Sequence, residues 1–358
     1  MLLAISVNQE FLVLGGLAVV MAVVLLGPFL VKKVEEELEA FLFIMGIASV
    51  SISKLWSWHL VHEALVDPIN ISLAVLVAGL GFRFIRPKIK KWTDIAVRRL
   101  GYGMVFFILV AGLGLLSSVI TAIIAALILA EVMSALKLVR NFEIKIVIIA
   151  CFSIGLGAAL TPLGEPLATI AVSKLKGEPH NADFFFLVRL LGIWVIPLVL
   201  GLAAWTAFFR NPAGGEPTLI EDKPENYFDV VLRAGKVYLF VMALVLLGTG
   251  FMPIVEKYLV NVSAHTLYWI NIISAILDNA TLTAAEMTPA MPTETIKELL
   301  LGLLIAGGML IPGNIPNIIC AGKLSIKSKE WAKFGIPLGL AIMIGIFIIQ
   351  LIIERWGI

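Results

Sequence analysis

Charge is scarce in this sequence. Only 15% of its 358 residues are Asp, Glu, Lys or Arg, against about a quarter in a soluble domain, and most of them cluster between apolar runs. The net charge is +2 and no basic segment is interleaved with aromatic residues, so no nucleic-acid partner is expected. Cysteine is nearly absent: Cys151 and Cys320 both lie in apolar stretches and read as buried free thiols. No G-x-x-x-x-G-K-[ST] string occurs, and the nearest, "CAGKLS", has Leu where Ser or Thr is needed. Without a nucleotide site, any transport has to run on a gradient. Histidine numbers four. His59 and His62 stand three apart with Glu63 beside them, a spacing compatible with a metal, but no third ligand is evident. They read as an external amphipathic turn, and neither an enzyme nor a resident cofactor is expected. The opening "MLLAISVNQEFLVLGG" has no Lys or Arg before its first apolar run, so residues 10–30 are expected to be a retained helix and not a cleaved signal.

What is present is apolar sequence. Hydrophobic residues make up 60% of the chain and mean hydropathy is +1.02. Apolar segments fall at about 10–30, 38–53, 68–86, 101–137, 143–176, 184–209, 229–251, 262–291, 298–323 and 331–353. The fold class expected is an all-α polytopic membrane protein, with the lipid bilayer as its surroundings.

Four segments are irregular. Residues 101–137 and 262–291 are interrupted at their centres by polar residues, "SSVIT" and "LDNAT", and read as re-entrant hairpins. Residues 143–176 and 298–323 contain "TPLGEP" (Pro162, Gly164, Pro166) and "IPGNIP" (Pro312, Gly313, Pro316). Each proline removes a donor and clashes with the preceding turn. At membrane depth the freed backbone survives only inside protein or along a cavity, so these read as two broken helices.

At a constant offset of 150, Gly157, Leu160, Pro162, Pro166 and Ala171 match Gly307, Leu310, Pro312, Pro316 and Ala321. The order of elements matches too, which predicts two repeats, and corresponding broken helices point to a transporter's binding site. Four divisions follow: N-terminal scaffold helices and a basic loop over 1–100, a first repeat over 101–209, a cytoplasmic linker over 210–228, and a second repeat over 229–358. With both termini outside and neither hairpin crossing, the inside loops 31–39, 83–99, 137–145, 210–236 and 322–333 hold about 20 of the 27 Lys and Arg. That predicts eight crossings of the cell inner (plasma) membrane plus two hairpins, with the repeats inverted.

Few ionisable residues lie deep, and a buried membrane charge marks function by default. Asp278 stands beside Asn279 with no other Asp, Glu, Lys or Arg between Lys257 and Glu286. Its alternative role is a structural carboxyl bonded to its own hairpin. Glu165 is the second candidate, its alternative being to cap the half-helix that starts at Pro166. With the hairpin tips at Thr121 and Asp278, Glu131 and Glu286 fall about 12–15 Å along the return legs and read as accessory. Arg189 either pairs with one of them or snorkels to the interface. Hard cations prefer oxygen ligands, and Asn279, Thr281, Thr161, Asn314 and Asn317 supply them at one tip and both breaks; Ser118 and Thr121 mark the other hairpin tip. Burial favours a protonated carboxyl unless a cation takes the proton's place. Sodium (or lithium) and a proton are therefore expected to compete at an Asp278/Glu165 site.

These motifs resemble the ion transporter superfamily, above all its NhaD-type sodium/proton antiporters, its arsenite permeases and related putative cation transporters. "SAILDNATLTAAEM" is similar to the antiporters' second-hairpin motif, and "ALTPLGEPLAT" to their Thr-Pro-x-Gly-Asp motif, with Glu165 in place of the aspartate. The likeness covers most of residues 100–358. It implies an elevator-type transporter, a substrate site between two hairpins and two broken helices, and a homodimer. Sodium-coupled citrate or dicarboxylate carriers belong to the same group and are the rival reading. They use Ser-Asn-Thr at both tips, whereas here one tip is Ser-Val-Ile-Thr and the other carries Asp278.

Overall fold

In lipid a backbone must satisfy its own hydrogen bonds, and this chain does so with helices. The computed structural model describes residues 7–136, 138–209, 227–258, 262–277 and 279–356. Asp278 and most of the 210–228 linker lie outside the described residues. Every regular element among those described is helical.

The chain opens with α1 (Val7–Leu30), α2 (Lys32–Glu36) and α3 (Leu38–Ser53). Next comes α4 (Trp58–Ile120), capped at its start by Ser57, whose hydroxyl accepts from the Leu60 N–H. α4 is two helices joined at Gly101, where φ is +76°. A Cβ there would meet nothing within 4 Å, so it is the left-handed backbone, not crowding, that calls for glycine. At Thr121 the chain turns back into α5 (Ala122–Leu136), which packs along α4. Then follow α6 (Arg140–Ala158), α7 (Pro166–Lys174), α8 (Phe186–Ala207) and α9 (Tyr227–Tyr258). α10 (Ala264–Ile270) runs into a 3-10 turn, Asn271–Ala275, before α11 (Asn279–Glu286). The chain closes with α12 (Thr293–Gly307), a 3-10 turn at Ile311–Gly313, α13 (Ile315–Leu324) and α14 (Ser328–Trp356).

Among the described residues, six stretches are long and apolar enough to cross a membrane: Glu10–Pro28, Lys91–Ile120, Arg140–Ala158, Phe186–Ala207, Val230–Ile254 and Ser328–Trp356. The protein is a polytopic membrane protein. The set differs from the eight expected crossings for identifiable reasons. α3 has only 16 residues, and of the broken helices only the Arg140–Ala158 piece is long enough alone. The stretch Lys91–Ile120 runs from the basic segment through the Gly101 bend into the first hairpin leg.

Two helices are enclosed on all sides. Residues 146–161 and 298–311 are buried without interruption, the pattern of a helix that is apolar all round and sits at a core. They belong to α6 and α12, which pack on each other. α4, α5 and α8 cover α6; α10, the Asn271–Ala275 turn and α14 cover α12. α3 and α9 pack together and against their neighbours, with Lys236 of α9 lying 3.7 Å from Glu37 and 3.6 Å from Glu39.

Candidate functional site

Both buried helices stop where proline and glycine require it. α6 ends at Ala158, and the chain re-enters helix at Pro166, the first-turn position that tolerates a missing N–H. Between them Gly164 presses on the end of α6: a Cβ there would lie 1.9 Å from the Ala158 carbonyl oxygen. The tip of the first hairpin docks on this break. The Ala122 N–H donates to the Gly164 carbonyl at 2.9 Å, and the Thr161 hydroxyl donates to the Ser118 carbonyl. Ser118 turns its own hydroxyl to the Leu115 carbonyl. Thr121, at the tip, has φ +76° and ψ 151°, a backbone that strains a β-branched residue.

The second break is built alike. α12 ends at Gly307, and the Asn317 amide donates to the Gly307 carbonyl at 2.9 Å and the Leu310 carbonyl at 2.8 Å, closing the helix end. Gly313 sits so close that a Cβ would come 2.6 Å from the Gly307 oxygen and 2.7 Å from the Ser274 oxygen. Asn279 begins α11 and is buried, and its Nδ2 lies 3.5 Å from where a Cβ on Gly307 would stand. The second tip therefore also lies on its break.

The second break packs on α6, a turn or two ahead of the first break. A Cβ on Gly155 of α6 would fall 2.2 Å from Nδ2 of Asn314, and one on Gly308 would fall 2.5 Å from the Phe152 ring. Glu165 and Asn314 hold the same place, each just ahead of a half-helix with φ −155°, and neither side chain caps the helix that follows. Both are buried, at 6% and 4% exposure. The capping alternative for Glu165 is thus removed. A cleft of about 430 Å³ between α3 and α9 on one side and α13 on the other reaches Ile311 at the second break, passing Glu39, Lys236, Phe240 and Ile318.

Thr161, Glu165, Asn279, Asn314 and Asn317 are all buried around these two breaks. Thr281 lies in α11, but its side chain, like Asp278, is outside what the structure describes. The accessory charges stand elsewhere. Glu131 forms a buried ion pair with Lys323 in the last turn of α13. Glu286 is fully buried at the end of α11, and Lys174 of α7 donates to the adjacent Met287 carbonyl at 3.0 Å. Arg189 pairs with neither glutamate but with Asp183 at 2.7 Å, and both of those side chains are exposed. The Arg189 hydrogen bond holds the Asp183 carboxyl below its usual range. Cys151 and Cys320 are buried free thiols.

Sequence reasoning missed Lys323, although it stands in the "CAGKLS" string. It also missed a hydrogen bond that recurs. Ser117 donates to the Ile154 carbonyl and Ser274 to the Leu303 carbonyl, each at 3.0 Å. The acceptors lie 149 residues apart, as do the helix ends Ala158 and Gly307 and the positions Glu165 and Asn314. The proline matches at 150 are out by one against the backbone: Pro166 opens α7, whereas Pro316 is the second residue of α13.

A family model matches residues 14–353, nearly the whole chain; its description is "Protein of unknown function (DUF1646)". The chain belongs to the DUF1646 family. No curated protein matches it. In this DUF1646 chain the matched region contains both breaks, both tips and every described candidate residue.

Proposed function

We propose that this protein is a secondary active transporter that exchanges sodium or lithium for protons, the two competing for the carboxylates of Asp278 and Glu165. The observation that carries the reading is the position of Glu165. Its carboxylate is buried at a helix break and does not cap its own helix. An ionisable side chain at membrane depth costs several kcal/mol, roughly 2.5–3.5 at a helix centre, and by default marks function. Asn279, Asn314 and Thr161 add oxygen atoms suited to a hard cation.

The recurring Ser117 and Ser274 hydrogen bonds and the matched breaks support two repeats. The cleft between α3/α9 and α13 supports a division into a scaffold and a moving part, in an elevator-type cycle. A sodium-coupled carrier of citrate or another small organic anion is the second reading. It is favoured by the starts of α7 and α13, two half-helix N-termini near the breaks, since a helix N-terminus attracts negative charge.

The test uses purified protein in liposomes with an imposed inside-acid gradient and a pH-reporting dye. Na⁺, Li⁺, K⁺ or citrate is added outside, and wild type is compared with Asp278→Asn and Glu165→Gln. Antiport predicts cation-triggered proton efflux that disappears in Asp278→Asn. Silence with every cation beside sodium-dependent citrate uptake selects the second reading.

A further inference from the structure

Away from the breaks, three helix ends bring together a set of ligands that the sequence does not hint at. His265 lies in the first turn of α10, Glu298 in the first half of α12, and Glu354 near the end of α14. One ligand atom from each lies within 4.8 Å of the others. Glu354 and His265 stand 3.4 Å apart and are both partly accessible. Glu298 is different: it is 3% exposed, and its Oε2 is buried without a hydrogen-bond partner.

A buried carboxylate oxygen with no partner is costly, and the lysine next to it in sequence is engaged elsewhere. Lys297 pairs closely with Glu294 and lies 5.6 Å over the Trp194 ring. The walls of the cluster are firm. Tyr268 ties α10 to α14 through a 2.9 Å hydrogen bond to the Met343 carbonyl, and the His265 ring meets the edge of Phe347 at 5.3 Å.

We propose that His265, Glu298 and Glu354 form a binding site for one divalent transition-metal ion of the zinc class, which clips α10 to α12 and α14. The donor set selects the metal. One imidazole and two carboxylates suit zinc-like ions, whereas calcium and magnesium take oxygen ligands alone. Three protein ligands leave a fourth, outward position for water. Small rotamer shifts bring the atoms to the spacing of about 3.3 Å set by 2.0–2.1 Å bonds in a tetrahedron. The site is separate from the one assigned to cation/proton exchange and stands or falls independently of it.

The experiment uses the full-length purified protein with any affinity tag removed, titrated with ZnCl₂ in competition with a chromophoric chelator. Thermal unfolding is followed in parallel with ZnCl₂, CaCl₂ or MgCl₂. One Zn²⁺ per chain is expected, with affinity falling at least about tenfold in His265→Ala and in Glu354→Gln, since each removes a direct ligand. Zn²⁺ raises the unfolding temperature of wild type but not of His265→Ala, because a ligand that binds only the folded state stabilises it. Both substituted positions are partly accessible, so these variants fold, and their unliganded unfolding temperatures check that. Absence of Zn²⁺ binding overturns the proposal. So does Zn²⁺ binding that is unchanged in both variants, or an equal shift with Ca²⁺ or Mg²⁺.

Discussion

Lys323 and Glu131 face each other inside the protein, 6% and 3% exposed, one in the last turn of α13 and the other in α5. The pair joins the half-helix after the second break to the return leg of the first hairpin. A buried pair is a weak source of net stability, but breaking it strands a charge. Glu131→Gln is therefore expected to destabilise by about 3–5 kcal/mol, read as a lower temperature of unfolding in detergent. Glu131→Leu with Lys323→Met removes both charges and should recover most of that loss. An unchanged unfolding temperature in Glu131→Gln would mean the pair has no structural role.

Gly155 and Gly164 should respond differently to a methyl group. At Gly164 the new Cβ meets backbone, the Ala158 carbonyl at 1.9 Å, and the break has to move. Gly164→Ala is expected to cost about 1–3 kcal/mol by overpacking, visible as a lower unfolding temperature. At Gly155 the obstacle is the amide of Asn314 at 2.2 Å, a side-chain end that can rotate away. Gly155→Ala should unfold near the wild-type temperature yet displace Asn314 and depress transport. Equal stability losses in both variants would contradict this assignment.

The hydroxyl of Thr161 should matter more than its shape. It donates to the Ser118 carbonyl and accepts from the Leu163 N–H. Thr161→Val keeps the volume and loses both bonds, at about 0.5–1.5 kcal/mol each, whereas Thr161→Ser keeps them. Thermal unfolding of the two variants separates these effects. Thr121→Gly is expected to be neutral or stabilising, since its φ of +76° strains threonine but not glycine.

Arg189 should be dispensable for transport. Its partner Asp183 is exposed just ahead of α8, and Arg189 is itself exposed at the start of that helix. Asp183 is depressed in the folded state, so whatever the pair contributes is present above the unfolded value of about 3.9 and is lost as pH falls through the lower folded one. Any pH dependence near neutrality therefore has another origin. In the liposome assay Arg189→Ala should retain the wild-type rate and pH profile. A profile displaced by more than about one unit would bring Arg189 back into the mechanism.

The breaks were legible in the residues because proline and glycine act locally. "TPLGEP" and "IPGNIP" end helices wherever they occur, and α6, α7, α12 and α13 start and stop around them. The turn at Thr121 was legible for a similar reason, a polar interruption in an apolar run. The proline matches stand at an offset of 150, whereas the recurring hydrogen-bond acceptors and the helix ends stand at 149, because residue identity and backbone position need not keep the same register.

Contacts between residues far apart in the chain stayed hidden until the helices were packed. Nothing at Glu131 points to Lys323, which lies 192 residues away, and helical periodicity says which face is apolar but not what it meets. The same holds for metal ligands. His59 and His62 stand out in the sequence by their spacing, yet His59 is exposed and lies 3.4 Å from Glu63. Among the described residues, a set within reach of a metal joins His265, Glu298 and Glu354 from three different helices. Local chemistry sets where a helix must stop; only packing sets which distant side chains share the space inside.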